Sequence, residues 1–154
     1  MAFSNQIRSE VEIEGTAEEA WAVLSDFASY GEWNPGFARI EGRAEAGTRL
    51  TITFALNGGR TMTMRPRVLV AEPGGELRWL GRLFLPWVFD GEHRFELHED
   101  EPGRVRFVQG ERFRGLLVPF LRRMIEVDTL ATFERVNAAL AARVEELRRR
   151  REVA

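Results

Sequence analysis

Three residues in one stretch of the chain could do chemistry, and their setting makes them costly. In FDGEHRFELHEDEPGRVRFVQGERF, residues 89–113, every second position gives Phe89, Gly91, His93, Phe95 and Leu97, then Val105, Phe107, Gln109, Glu111 and Phe113. Alternate residues of a strand share a face, and this one is apolar except for His93, Gln109 and Glu111. A carboxylate kept from water needs a partner. With a turn spanning Glu99 to Gly103, Phe95 is expected opposite Phe107, His93 opposite Gln109 and Gly91 opposite Glu111, so that His93 and Glu111 become diagonal neighbours. Two readings stand side by side. The three side chains close a buried network among themselves or with Asp128, Thr132 or Asn137 of a helix. Alternatively they face a space that holds water and ligand, since pockets are mostly apolar with a few convergent polar groups. A slip of one residue in register would turn His93 and Glu111 outward.

Composition removes most other chemistries. All 22 basic residues are arginine and there is no cysteine, which leaves no Schiff-base lysine, P-loop lysine or thiol nucleophile. The serines, Ser4, Ser9, Ser25 and Ser29, all lie near the start and none has a GxSxG context. The two histidines, His93 and His98, are an odd number of residues apart on one expected strand. They therefore face opposite sides and cannot share a metal there. No metal and no cofactor is expected.

The elements that must position the trio follow from periodicity. A first strand is expected through IRSEVEI, then a short helix in TAEEAWAVLSDF, where Thr16 and Glu19 have capping-box spacing and Ala17, Ala20, Trp21, Leu24 and Phe27 form one stripe. A second short helix covers SYGEW and ends at Asn34-Pro35. From Phe37 the period becomes two. Leu50, Ile52, Phe54 and Leu56 alternate with polar or small residues, Asn57-Gly58-Gly59 suits a hairpin turn, and Met62, Met64, Val68 and Val70 continue the apolar face. Pro66 marks a bulge or an edge. ELRWLGRL then places Leu77 and Trp79 inward, with Trp79 and Trp87 on or beside that face. Arg65, Arg67, Arg78, Arg82, Arg94, Arg104, Arg106, Arg112 and Arg114 all take the opposite parity, so the sheet has one wet and one covered face. From Leu116 to about Arg151 the apolar spacing predicts one long amphipathic helix, with Pro119 in its first turn.

The 154 residues, 44% of them hydrophobic, suit one domain over 1–154, and the formal charge of 22 − 24 = −2 gives no global attraction to nucleic acid. There is no apolar run of membrane-spanning length. The opening MAFSNQIRSEVEI lacks the features of a secretory signal, so a cytoplasmic location is expected. The expected fold is α+β: a curved antiparallel sheet of about six or seven strands wrapped around a long C-terminal helix, with two short helices after the first strand.

At this point the chain resembles the START-like helix-grip superfamily, within it the polyketide cyclase or SRPBCC group. The carriers are IEGTAEEAWAVLSDFASYGEWNP with Tyr30, Trp33 and the Asn-Pro step, ERFRGLLVPF before the last helix, and FERVNAAL inside it. The resemblance covers nearly the whole chain. It implies a hydrophobic cavity between sheet and helix for lipids, polyketides or similar molecules, on a fold that hosts carriers, cyclases and chaperone activators alike. The first expectation is binding of a small hydrophobic ligand, lipid or polyketide-like. Phe54, Met62, Met64, Trp79, Phe89, Phe95, Phe113, Leu121 and Met124 would line the cavity, with His93, Gln109 and Glu111 at the ligand's polar end. The alternative is a cofactor-independent cyclase or dehydratase with Glu111 and His93 as acid/base pair. Binding is preferred because it explains the same residues without requiring turnover. A third reading is a chaperone-activator-like interaction module using the arginine-rich sheet face. Monomer and homodimer are both compatible with the sequence.

Overall fold

The computed structural model describes residues 3–83 and 85–154, so Met1 and Ala2 of the opening stretch lie outside it. Strand β1 (Ser4–Glu14) leads into helix α1 (Ala17–Ser25) and the short α2 (Tyr30–Trp33). Strands β2 (Phe37–Glu41), β3 (Thr51–Ala55), β4 (Thr61–Met64), β5 (Arg67–Glu72), β6 (Glu76–Leu83), β7 (Phe89–Glu101) and β8 (Arg104–Arg114) follow, and helix α3 (Leu130–Val153) closes the chain. The fold is α+β, as expected.

The α1 cap is half of the expected box. Thr16 Oγ1 accepts from the Glu19 N–H at 3.1 Å, but the Glu19 carboxylate faces Arg151 at 3.6 Å instead of returning to the cap. Glu99, from β7, instead accepts from the N–H of Ala17, the first residue of the helix. At the end of α2 the Asn34 Oδ1 accepts from the N–H groups of Gly36 and Phe37, at 2.9 and 2.8 Å. That side-chain turn redirects the chain into β2.

The expected single curved sheet is divided. One sheet has the order β1-β8-β7-β6-β5 and the other β2-β3-β4. The break falls at Pro66, which lacks an N–H and cannot continue the β3–β4 ladder. Its carbonyl still accepts from Leu50 N–H, and Val68 N–H reaches Thr48 O, both at 2.8 Å, so the two sheets share a seam.

The long helix begins later than its apolar spacing predicts. A 3₁₀ turn spans Val118–Leu121 and a π-helical turn Met124–Thr129 before α3 starts at Leu130. Threonine hydroxyls bond back onto the chain here: Thr129 Oγ1 donates to Met124 O at 3.3 Å and Thr132 Oγ1 to Asp128 O at 3.1 Å. Such back-bonding competes with the regular helix ladder and bends it. Apolar periodicity is blind to it. Along α3 the buried residues are Phe133, Val136, Asn137, Leu140, Ala141 and Val144, a stripe at three-and-four spacing. Each large apolar member contributes roughly 1.5–3 kcal/mol by leaving water.

Tyr30 anchors the core beneath α1 and α2. It is fully buried, and its hydroxyl donates to Leu24 O at 2.5 Å. Burial, reinforced by the nearby Asp26 carboxylate, raises its pKa far above the ordinary 10.0. The unfolded chain releases this proton near pH 10 while the folded chain holds it, so stability is intact below pH 10 and falls as pH rises above it. Tyr30 is the sole tyrosine, which makes the readout direct. In an alkaline titration followed by ultraviolet absorbance, the tyrosinate signal is expected only together with the loss of tertiary circular dichroism. A tyrosinate that forms in the folded protein near pH 10 contradicts the burial argument.

Candidate functional site

The β7–β8 hairpin places the trio, and it does so in a different register from the expected one. The turn is the two-residue Pro102-Gly103, with Gly103 at φ 78° and Glu101 opposite Arg104. A bulge between His98 and Glu101 then adds one residue on β7. Together they put His93 directly opposite Glu111, Phe95 opposite Gln109 and Leu97 opposite Phe107. The expected diagonal becomes a direct cross-strand pair. His93 Nδ1 lies 3.4 Å from Glu111 Oε2.

Glycine makes room for that carboxylate. A Cβ at Gly91 would sit 2.7 Å from Glu111 Oε1, and one at its strand neighbour Gly81 would sit 2.9 Å from Met64 Cε. The missing side chains let Glu111 and Met64 lie flat over the sheet.

Aromatic rings wall the histidine. Trp79 stacks on it with centroids 5.3 Å apart at 24°, while Phe95 at 4.5 Å, Phe133 at 5.0 Å and Phe37 at 5.5 Å meet it at steeper angles. His93 is 3% exposed and Gln109 0%. His93 Nε2 and both amide atoms of Gln109 have no hydrogen-bond partner. An unmade hydrogen bond of a buried polar atom costs about 1–3 kcal/mol.

The helix partners anticipated for the trio do not reach it. Asn137 Nδ2 donates to Ser9 Oγ at 3.0 Å, and Ser9 is the residue beside Gln109 across the β1–β8 ladder. Thr132 bonds the carbonyl of Asp128.

The expected lining residues fall into four places. Trp79 and Phe95 belong with the trio in the main core. Phe89, Phe113 and Leu121 join a second cluster with Ile7, Val118, Ile125 and Phe133, under the segment that precedes α3; Phe89 and Phe113 stack at 5.4 Å. Phe54 packs on Phe37 at 5.2 Å and Met64 covers Gly81. Met62 and Met124, 38% and 39% exposed, lie at the surface. Trp87, expected beside the inward face, is 67% exposed with φ 74°.

Phe37 and Phe133 were not among the expected site residues, yet both touch His93. Phe133 was legible in the helix stripe. Phe37 follows the Asn34 turn, and only that turn aims it at the histidine.

The larger surface clefts lie elsewhere. One of about 540 Å³ between the β7–β8 turn and the end of α3 is lined by Glu14, Glu101, Arg104, Glu145, Arg148 and Glu152 among others. Such a charged, open wall suits water rather than an apolar guest. Part of the outer sheet face is likewise self-paired. Arg104 meets Glu12 at 2.9 Å, Arg106 meets Asp100 at 3.0 Å, Arg94 meets Glu96 at 3.3 Å, and Arg78 bonds Glu76, which raises the Arg78 pKa further. These pairs leave little net field for an acidic partner.

The sequence matches the family described as polyketide cyclase / dehydrase and lipid transport over residues 5–145. The chain belongs to that family. Solved structures of the same architecture include the Zhui aromatase/cyclase from Streptomyces sp. R1128, with a TM-score of 0.76 at 16% identity, covering 93% of this chain and 94% of that one. Norcoclaurine synthase from Thalictrum flavum, as a point mutant in complex with a transition state analogue, has a TM-score of 0.73 at 14% identity, covering 96% and 98%. A START superfamily protein from Mycobacterium smegmatis has 0.72 at 20%, covering 92% and 98%. At these identities the likeness establishes the START-like helix-grip fold. No match is found among curated proteins at the sequence level.

Replacing Gln109 by Met keeps the volume and removes both unpartnered amide atoms. Thermal unfolding of Gln109→Met is expected to shift upward by several degrees, since about 1 kcal/mol corresponds to roughly 2–4 °C at this chain length. A lower midpoint means that the amide is satisfied in solution.

Proposed function

We propose that the protein binds a small hydrophobic molecule, lipid or polyketide-like, between the five-stranded sheet and the segment leading into α3. The observation that carries this reading is the set of buried, unpartnered polar atoms on an otherwise aromatic face: His93 Nε2 and both amide atoms of Gln109. A core built only for stability avoids such groups. A pocket needs a few of them to orient its guest. Family membership supports the same reading, because the family's description includes lipid transport.

The guest enters at the end that carries Phe89, Phe113 and Leu121, beneath the 3₁₀ and π-helical turns, with Met62 and Met124 at the rim. Trp79, Phe95 and the His93–Glu111 pair form the deep end. Met64 and Phe54 flank it from the smaller sheet and adapt to the occupant.

A second reading rests on the His93–Glu111 pair at 3.4 Å. In a cyclase, Glu111 takes a proton from a carbon activated by neighbouring carbonyls and the resulting enolate closes a ring on another carbonyl of the same chain. The proton then returns from the pair to the new alkoxide. No cofactor enters this balance. An aromatase/cyclase and norcoclaurine synthase among the similar structures support keeping it. Binding is the common requirement of both readings.

Mass spectrometry of the freshly purified protein, native against denatured, is expected to show a small molecule released on unfolding, and less of it in the His93→Ala, Glu111→Ala double variant. A protein that is empty and also fails to take up any apolar probe overturns the binding reading. Where turnover of a polyketide-like chain is found, Glu111→Gln is expected to lower kcat by about 10²–10⁴. Full turnover in that variant removes Glu111 from the reaction.

A further inference from the structure

We propose that the deep end of this site selects an uncharged oxygen function, a hydroxyl or ketone, and refuses a carboxylate, with Gln109 and Asn137 as the groups that make the choice. The inference rests on the binding reading above and specifies its ligand class.

The unpartnered atoms define what a guest must offer. Gln109 presents a free donor and a free acceptor. Asn137, 2% exposed, gives its Nδ2 to Ser9 Oγ at 3.0 Å and leaves Oδ1 without a partner. A serine hydroxyl both donates and accepts, so whichever way the Asn137 amide is turned, one of its atoms is satisfied and the other is left over. The two amides belong together. Ser9 stands directly beside Gln109 in the β1–β8 ladder, and Asn137 lies one helical turn beyond Phe133, which packs against His93 at 5.0 Å. His93 Nε2 is the remaining open atom.

Every open group is neutral or already faces a carboxylate. The chain has no lysine, and among the described residues no arginine is buried. The single basic group in the interior is His93, and its Nδ1 faces Glu111. A fatty-acid or benzoate-type anion brought here finds no cation and approaches the Glu111 carboxylate, which disfavours it on both counts. A hydroxyl meets two of the four open atoms at once: it accepts from Gln109 Nε2 and donates to one of the two amide oxygens. A ketone takes the first of these bonds. A purely apolar molecule of the same shape leaves the amides as they were, and a site built to hydrogen-bond a hydroxyl discriminates against the analogue that lacks it.

Three probes of one shape test this: 2-naphthol, 2-naphthoate and naphthalene, titrated at pH 7.5 by calorimetry and by quenching of tryptophan fluorescence. Naphthol is expected to bind about tenfold or more tightly than either of the others, the equivalent of one well-made hydrogen bond. Gln109→Met and Asn137→Leu, each first shown to unfold cooperatively, are expected to abolish the preference for naphthol over naphthalene. Naphthoate binding equal to or tighter than naphthol overturns the proposal, as does a naphthol affinity that neither substitution alters. If none of the three binds, the ligand-binding reading itself falls and the selectivity falls with it. If naphthalene and naphthoate bind without a preference for naphthol, binding stands and the selectivity alone is wrong.

Discussion

The register of one hairpin decides what the interior of this protein contains. Pro102-Gly103 closes β7 onto β8 in two residues, and the bulge between His98 and Glu101 offsets the strands by one residue on the β7 side. Parity is preserved, so His93, Gln109 and Glu111 keep the inner face, and His93 gains Glu111 as its direct partner. A different offset would break that pair, and an odd one would set the inward face of one strand beside the outward face of the other, so that His93 and Glu111 no longer shared a side. The rings around His93 depend on the same alignment, since Trp79 on β6 stands opposite His93 in the next ladder. Turn, bulge and two ladders therefore act as one device.

This device holds a compromise between stability and use. Aromatic packing around His93 is dense, and it alone would make a good core. Gln109 interrupts it with two polar atoms that fail to find partners, and Asn137 adds a third. Filling those positions with Leu or Met would serve folding better. The segment before α3 departs from regularity in its own way. Its 3₁₀ and π-helical turns forgo regular helix bonding beside the second apolar cluster.

Parity and helical spacing made most of the architecture legible: the first strand, both short helices, the inward and outward faces of the sheet, the buried stripe of α3, and the inward placement of the polar trio. Four features escaped, each for a local reason. The two-residue turn and the bulge in β7 leave no trace in an alternating pattern, so His93 meets Glu111, two residues beyond the expected Gln109. Pro66 was visible, but whether it would bend one sheet or divide two depends on the partner strand it faces. The late start of α3 comes from Thr129 and Thr132 bonding back to carbonyls, a choice that apolar spacing does not record. Phe37 reaches His93 because the Asn34 side chain caps two N–H groups beyond the proline, and that geometry appears only once the turn is built. Strand alternation places Met62 inward and helical spacing places Met124 there, yet both are exposed, Met62 on edge strand β4 and Met124 on the π-helical turn, and Trp87 lies exposed in the β6–β7 connection.

Charge is partitioned with unusual completeness, and this explains how a chain with so many arginines keeps an interior without one. On the outer face several arginines sit between carboxylates of the same or adjacent strands, as with Arg78 between Glu76 and Glu92 or Arg106 between Asp100 and Glu10. Exposed pairs of this kind add little stability each. Their effect is on placement, because an arginine with a carboxylate beside it in water gains nothing by turning inward. Lysine, whose amine loses its charge more readily when buried, is absent from the chain altogether. What remains inside, among the described residues, is an imidazole facing the Glu111 carboxylate and the amides of Asn34, Gln109 and Asn137. The polar chemistry of the interior thus follows from where the arginines are kept as much as from the few polar atoms it holds.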